Sequence, residues 1–597
     1  MLRPLVVIRI AWLASLVACA SPPPLAVSPV TAPPPPPVAL VAPAPPEATM
    51  LARFTHTARD TWTVEYVFSS PVSAVAFGHT RISRDGWRIT EPSDATRTGA
   101  IVSAPRPFVR LAFELPTAFD QPEKEYAPFY RYSDRGALAY TGQLSLARVA
   151  CESGHCDWGS GLSVGELLSG TMKLVAGAGE SVVVNGESPA SERAFDVTSD
   201  GTYAYFGDLV PVETPAAIGV LDHALPDWLH ARIAADIPRM LGLFADRLGP
   251  LDGAKPTVYL TFAAIKRGYS FGGGVLPPHV LSLDLELGPD LLSEKNTRTR
   301  AKVDELIAHE AAHFWNGGKY THSGDATAAW MHEGTADAMA FRALRLTGTF
   351  DEAGYRDRLS EAASECALWL NGGAGLRATQ GGHSRAFYVC GSTFDLVAEA
   401  AQKRHDPSTD LFTFWNAVFA EGKPTYEEAQ FFQVLDRVSG DPTLSAVMRH
   451  LLHERDDDPV KAIRGLLASV GLTTTLKPSA DPMPPAYDEM ASVSAVTSLV
   501  SASCLDGLTF VGDVAATAKV TKDGACGAPS LIKGDRIDQV EGVLLGAHGA
   551  TAYARGYASC VARKSFEITT KSGVHARIAC KDTPAAPPPY FRLVKVP

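Results

Sequence analysis

The sequence predicts a multidomain α+β protein: an N-terminal β-sandwich, an α+β domain followed by helices, and a small β-rich domain at the C-terminal end. Three observations carry that reading. At about 150 residues per domain, a chain of 597 residues allows three or four domains. The hydrophobic pattern has period two between roughly Leu51 and Leu209, lengthens to a helical period from about Ala216 to Gly471, and returns to short runs with glycine turns from Ser494 to Lys581. Strands and helices are largely segregated rather than strictly alternating, as in α+β architecture. Composition narrows function as well. With 54 Lys and Arg against 65 Asp and Glu, the formal charge is −11. Phosphate binding needs clustered Lys and Arg, so nucleic acid is excluded as a partner.

Residues 1–18 read as an export signal. Arg3 and Arg9 accompany an apolar stretch through Ile10, Ala11, Trp12 and Leu13, and the segment is too short and too closely followed by proline to span a membrane. Leu16-Val17-Ala18-Cys19 resembles the lipobox of bacterial lipoproteins, which implies cleavage before Cys19 and lipidation of that residue. Ala20 follows in place of Asp, and the resemblance then implies sorting to the outer membrane, facing the periplasm or the exterior. Residues 19–50 form a tether rich in Pro, Ala and Val, with no charged side chain before Glu47. Such a segment favours extended polyproline II. No later stretch reaches about 18 consecutive apolar residues, so the lipid anchor is the expected membrane contact.

The sandwich is expected over residues 51–212, where Thr61 to Phe68 and Val109 to Leu115 alternate and Asn185-Gly186 and Ser199-Asp200-Gly201 mark turns. The α+β domain with its helical end is expected over 213–477, with a buried strand at Thr257 to Phe262. Pro478, Pro482, Pro484 and Pro485 crowd into an expected linker, residues 478–493, and the last domain occupies 494–597. Setting Cys19 aside, eight of the nine cysteines remain, an even number in an exported chain, and no Cys-x-x-Cys pair points to a zinc-thiolate site. Cys151 and Cys156 are close enough for a local bridge, and Cys366 and Cys390 fall in one region. Connectivity among Cys504, Cys526, Cys560 and Cys580 stays open.

The chemistry is concentrated in His309-Glu310-Ala311-Ala312-His313. The stretch Lys302 to Trp315 has no Gly or Pro and places Val303, Leu306, Ile307 and Phe314 at helical intervals, so His309 and His313 share one face a turn apart. That spacing lets both imidazoles bind a single zinc, while Glu310 is placed to take a proton from water at the metal. Trp330 to Asp337 is a second helix-compatible stretch. There Glu333 completes a His-His-Glu ligand set, and Asp337, one turn on, can accept the free N–H of His309 or His313.

From His309 to Ala336, an HExxH helix followed by Trp-x-x-Glu-Gly-x-Ala resembles the gluzincin metallopeptidases, especially the aminopeptidase N superfamily and the glycyl aminopeptidases. His313-Phe314-Trp315-Asn316 is similar to the His-x-Trp-Asn of the latter. Nineteen residues separate His313 from Glu333, one more than in most aminopeptidase N relatives. The resemblance implies a thermolysin-like α+β catalytic domain holding one Zn²⁺. Phe387-Tyr388-Val389-Cys390-Gly391-Ser392 is similar to the family's Tyr-x-Lys-Gly segment, which implies that Tyr388 donates a hydrogen bond to the tetrahedral intermediate; Cys390 stands where the family has Lys. Exopeptidases of the superfamily carry a glutamate in a Gly-x-Met-Glu-Asn segment that binds the substrate amine. Phe271-Gly272-Gly273-Gly274-Val275-Leu276-Pro277-Pro278-His279 stands here without a carboxylate. Gly272, Gly273 and Gly274 still suit a strand edge along which a substrate backbone can pair, and Asp284 or Glu286 on the next strand are the nearby acids.

Phe431 to Gly440 and Leu466 to Leu472 look like the helical end of the glycyl aminopeptidase catalytic region. Gly534 to Gly542 resembles the glycine turn of PDZ domains and Gly507-Leu508-Thr509-Phe510 their carboxylate-binding loop, which implies a groove for a C-terminal peptide. Together these readings imply a zinc metallopeptidase that acts on a peptide or protein, with aminopeptidase action among its forms. A cell-envelope peptide-binding protein with a structural zinc site, and a non-peptidase zinc hydrolase, are the alternatives; cleavage of a peptide separates them.

Overall fold

The computed structural model describes residues 49–597 apart from residues 59, 79–83, 85, 118–127, 134–135, 152–161, 198–200, 267–268, 277–278, 324–327, 372–374, 377–384, 479–482, 504–507, 510–517, 521–522 and 525–527. The export signal, Cys19 and almost all of the tether therefore lie outside the described residues, as do Cys156, Cys504, Cys526, Gly507 and Phe510.

The period-two segment forms two facing sheets. In Thr61–Phe77, Trp62, Val64, Tyr66 and Phe68 point inward while Glu65 and Val67 face solvent, as strand geometry dictates. This strand lies between Met50–Ala58 and Ile101–Pro116 in a largely antiparallel sheet. A smaller sheet runs in the order Ser181–Val183, Tyr203–Gly207, Ala137–Tyr140, Phe129–Arg131. Tyr203–Gly207 is buried on both faces: Ala204 and Phe206 pack on Phe54 and Trp62, whereas Tyr203 and Tyr205 turn to Ile218, Val220 and Tyr259. The small sheet is thus a middle layer, fastened by the Tyr259 hydroxyl to the Val183 carbonyl at 2.8 Å and the Tyr132 hydroxyl to the Val220 carbonyl at 3.0 Å.

Against that layer lies a third sheet, ordered Val212–Glu213, Ile218–Leu221, Thr257–Ala264, Val280–Leu287, Tyr269–Leu276. The three inner strands are parallel, covered on both faces and correspondingly apolar. Tyr269–Leu276 runs antiparallel to Val280–Leu287 and forms the sheet's edge. Beyond it come helices α1 (Asp227–Leu248), α2 (Thr297–His313), α3 (Thr335–Leu346), α4 (Glu352–Leu370) and α5 (Arg385–His405), followed by α6 (Leu411–Gly422), α7 (Glu428–Ser439), α8 (Pro442–His453) and α9 (Pro459–Ser469). Their apolar faces share one core with the sheet. A Cys366–Cys390 disulfide, between the two cysteines that fall in one region of the sequence, joins α4 to α5.

The C-terminal part departs from the reading of a linker over residues 478–493, and two helices accompany the sheet of the expected β-rich domain. Residues 485–493 are the first turns of α10 (Pro485–Ser501): proline at a helix start loses no hydrogen bond, so the proline-rich composition that reads as linker also suits a helix N-terminus. A second helix, α11 (Gly549–Arg563), packs on α10 beside a sheet that includes Arg536–Val540, Ser565–Thr570 and His575–Ala579, and Cys560 is bridged to Cys580. The last strand, Tyr590–Leu593, leaves this module and pairs with Thr474–Lys477, because Phe591 and Leu593 bury in the core of the preceding helices. Among the described residues no helix is long and apolar enough to cross a membrane. The overall architecture is mixed α/β.

One backbone contact sets the register of the helices. A Cβ on Gly334 would lie 2.4 Å from the Gly391 Cα, and one on Gly391 would lie 2.1 Å from the Trp330 carbonyl oxygen. The turn before α3 and the first turns of α5 therefore touch backbone to backbone. Gly391→Ala is expected to lower stability by about 1–3 kcal/mol through overpacking. Gly465→Ala, exposed in α9 with nothing within 4 Å of its Cβ, should instead stabilise by roughly 0.5–1 kcal/mol. Thermal denaturation of both variants reads the contrast.

Candidate metal centre

Helix α2 supplies most of the centre. Asn296 caps it by accepting from the Thr299 amide at 3.1 Å. Val303, Ile307, Ala308, Ala311 and Ala312 bury one side, which turns Lys302, Leu306, His309, Glu310 and His313 to a cleft of about 710 Å³. At its C-terminal end α2 runs into a π-helical turn, Phe314–Lys319, and a second π-helical turn, Trp330–Gly334, leads into α3. Such turns recur at functional sites because they aim side chains that a regular helix cannot. Here they present Asn316 and Glu333.

The His309 and His313 Nε2 atoms stand 3.1 Å apart, and Glu333 Oε2 lies 3.4 and 3.5 Å from them. Three ligands of a tetrahedral zinc at about 2.1 Å are separated by roughly 3.4 Å. The cluster therefore fits a metal ion in both donor chemistry and spacing. Each imidazole is oriented through its other nitrogen: His309 Nδ1 meets Asp337 Oδ1 at 2.9 Å and His313 Nδ1 meets Asn316 Oδ1 at 2.9 Å. These bonds assign the Nδ1–H tautomer to both rings, leaving the Nε2 lone pairs facing one another. Asn316 is held in turn, its Nδ2 donating to the His332 carbonyl at 2.8 Å and its own carbonyl accepting from Tyr426 at 2.7 Å.

The electrostatics favour a cation. Burial opposes charge on His309, but hydrogen bonds to Asp337 and Glu333 hold its pKa well above the usual imidazole value. Burial likewise works against Glu333 and Asp337, yet the imidazole contacts, with Arg385 beside Asp337, keep both carboxyls below their ordinary range. The carboxylates that favour a proton there favour a metal ion for the same reason. Burial raises the Glu310 carboxyl, and both imidazoles oppose the shift.

The other residues expected in the site gather around this centre. The Tyr388 ring stacks on His309 with centroids 5.7 Å apart, and burial together with the Glu333 and Asp337 charges holds its phenol above the usual value. Gly272, Gly273 and Gly274 all line the cleft, but only at Gly273 does glycine answer to this site. A Cβ there would lie 2.7 Å from Glu310 Oε1, whereas at Gly274 it would meet nothing and at Gly272 only the Asp284 Cβ at 3.8 Å. Asp284 lines the cleft and accepts from the Thr261 hydroxyl at 2.8 Å; Glu286 is not among the lining residues.

Several residues escape sequence reasoning. Asn316 is visible only as the end of the His313-Phe314-Trp315-Asn316 similarity. Arg385 donates to Asp337 at 3.3 Å and to Glu365 at 3.2 Å. His332 lines the cleft with its ring 4.2 Å from His313, and burial pushes its pKa down to about 3. Tyr130 and Tyr203, from the small N-terminal sheet, close the cleft beside Leu276 and carry no local signal of that role.

Fold and centre together describe a mixed α/β protein with a buried His-His-Glu cluster at the base of a cleft. No protein-family model and no curated protein matches the sequence. Among solved structures the fold is similar to that of an aminopeptidase N family protein from Idiomarina loihiensis, with a TM-score of 0.60 over 92% of this chain and 98% of that one at 14% identity. A likeness at that identity is one of fold.

Asn316→Ala and Asp337→Ala each remove the hydrogen bond that orients one imidazole. Each is expected to weaken zinc binding by about 10–100-fold, measured by competition with a chromophoric chelator. Unchanged affinity in both would disconnect these two residues from the cluster.

Proposed function

We propose that this protein is a zinc-dependent metallopeptidase that hydrolyses amide bonds of a peptide or protein substrate. The observation that carries the reading is the convergence of His309, His313 and Glu333 donor atoms within 3.5 Å of one another, with Glu310 and Tyr388 lining the same cleft. The likeness of fold to an aminopeptidase N family protein supports it.

His309, His313 and Glu333 would hold the zinc, which when bound supplies Lewis-acid polarisation and lowers the pKa of water. Asp337 and Asn316 keep the two imidazoles in the ligating tautomer. Glu310, its carboxylate against the edge strand at Gly273, takes the proton of the attacking water and returns it to the leaving nitrogen. Tyr388 donates a hydrogen bond to the oxygen on which negative charge develops, and its raised pKa keeps it a donor at neutral pH. The edge strand Tyr269–Leu276 offers backbone groups to an extended substrate. In this reading the enzyme is exported, and lipidation at Cys19 holds it at the outer membrane.

The test compares the zinc-loaded wild type with Glu310→Gln on a mixed peptide library, every cut being read by mass spectrometry. Cuts should occur in the wild type and vanish in Glu310→Gln with zinc content unchanged, and their positions distinguish removal of N-terminal residues from internal cleavage. Equal cutting by Glu310→Gln would sink the assignment. Gly273→Ala, which displaces the Glu310 carboxylate, should lower kcat by about 100-fold with zinc retained, read on the best peptide of that library.

A further inference from the structure

The cleft has two chemically different ends. Beside Leu276 it is closed by Tyr130, Leu138 and Tyr203; towards the N-terminal end of α2 it is lined by Lys302, Arg358 and Arg385. Two of these three cations are fully engaged. Arg358 bonds Glu361 and, at 2.8 Å, Glu305. Arg385 bonds Glu365 and Asp337.

Lys302 differs. Its nearest acid is Glu305 at 3.8 Å, beyond hydrogen-bond distance and already bonded to Arg358, and the ammonium makes no hydrogen bond to any described residue. The side chain is only 29% exposed. Burial lowers its pKa, Arg358 and Arg385 repel its charge, and Glu305 and Glu365 attract it. An ammonium at the cleft wall, held by one ion pair at 3.8 Å and by no hydrogen bond to a described residue, is free to make a closer, charge-assisted bond to a ligand carboxylate entering the cleft.

Position fixes which part of a substrate it reaches. Lys302 lies on the α2 stripe that carries His309, two turns or about 10 Å from it. Tyr269, at one end of the edge strand, sits over Arg298, one turn before Lys302, with the guanidinium 5.9 Å from its ring. A peptide paired with that strand therefore passes Lys302, and at about 3.3 Å per extended residue it does so two or three residues from the bond at the metal centre.

We propose that Lys302 is a specificity-determining residue that takes a substrate carboxylate, from an acidic side chain or a free C-terminus, two or three residues from the cleaved bond. The inference rests on the peptidase reading above.

The test uses the full zinc-loaded protein and peptides that share one scissile sequence. One arm moves Glu, against Gln, through the three positions on either side of the bond; the other compares a free C-terminus with its amide. A carboxylate at the favoured position should raise kcat/KM about tenfold, chiefly through KM, and the responding arm identifies the source. In Lys302→Met that preference should collapse towards unity, while Lys302→Arg retains it; circular dichroism confirms that both fold. Equal cutting of all peptides by the wild type overturns the inference without needing a variant, and so does an unchanged preference in Lys302→Met. Failure to cut any peptide overturns the peptidase reading itself, a distinguishable result.

Discussion

Two imidazole lone pairs and a carboxylate oxygen held within 3.5 Å of one another are stable neighbours only where positive charge can sit between them. Much of the surrounding structure answers to that constraint. Asp337 and Asn316 engage the two Nδ1 atoms, so both Nε2 atoms face the centre, where a proton or a metal ion can supply that charge. Both carboxylates are largely buried, and burying a carboxylate is costly unless hydrogen bonds or charges compensate it. His309 and Arg385 do so for Asp337, and the two imidazoles do so for Glu333. Glu333 can reach them only because Gly334 and Gly391 let the turn before α3 and the start of α5 meet at backbone distance. The same contact brings Tyr388, one turn before Gly391, over His309.

The two ends of the chain serve the cleft from outside the helices that make its chemistry. The small N-terminal sheet turns one face to its own sandwich and the other to the sheet beside the centre, and this second face supplies Tyr203 to the cleft wall. The final strand, Tyr590–Leu593, lies along α4, where the Ser364 hydroxyl accepts from the Phe591 amide at 2.8 Å and the Ser360 hydroxyl from the Leu593 amide at 3.0 Å. The same helix sends Arg358 to the cleft wall, and its Glu361 and Glu365 pair with Arg358 and Arg385 there. A segment more than 200 residues away in sequence thus steadies the helix that carries the ionic wall.

What the sequence makes legible follows from how local each signal is. His309, Glu310 and His313 fall within a turn and a quarter of helix, so spacing alone predicts their common face. Glu333 and Asp337 are again one turn apart, and they need only the first motif for their reading. Asn316 is three residues from His313, yet its role depends on a π-helical turn that no periodicity announces. Tyr130 and Tyr203 are beyond sequence reasoning altogether, because their place in the cleft depends on how the middle sheet packs. The start of α10 is hidden for a compositional reason: prolines favour both an extended linker and the first turn of a helix, and only packing separates the two.

With 14% identity across 92% of the chain, the architecture shared with an aminopeptidase N family protein depends on few specific side chains. Layered sheets and apolar helix faces tolerate wholesale exchange of residues, provided volume and pattern are kept. Positions where backbones touch, or where a buried polar atom has one acceptor, tolerate far less. Gly334 and Gly391, whose backbones touch, and Asn316 belong to that second class, and Gly273 joins them because a Cβ there would meet the Glu310 carboxylate. The cleft walls belong to neither class. Lys302, Asp284 and Tyr203 line the cleft without belonging to the His-His-Glu cluster, so they can change while the centre stays fixed. In the proposed reading the chemistry is therefore carried by α2, the turn before α3 and Tyr388 of α5, whereas substrate choice falls to residues that the HExxH motif does not contain.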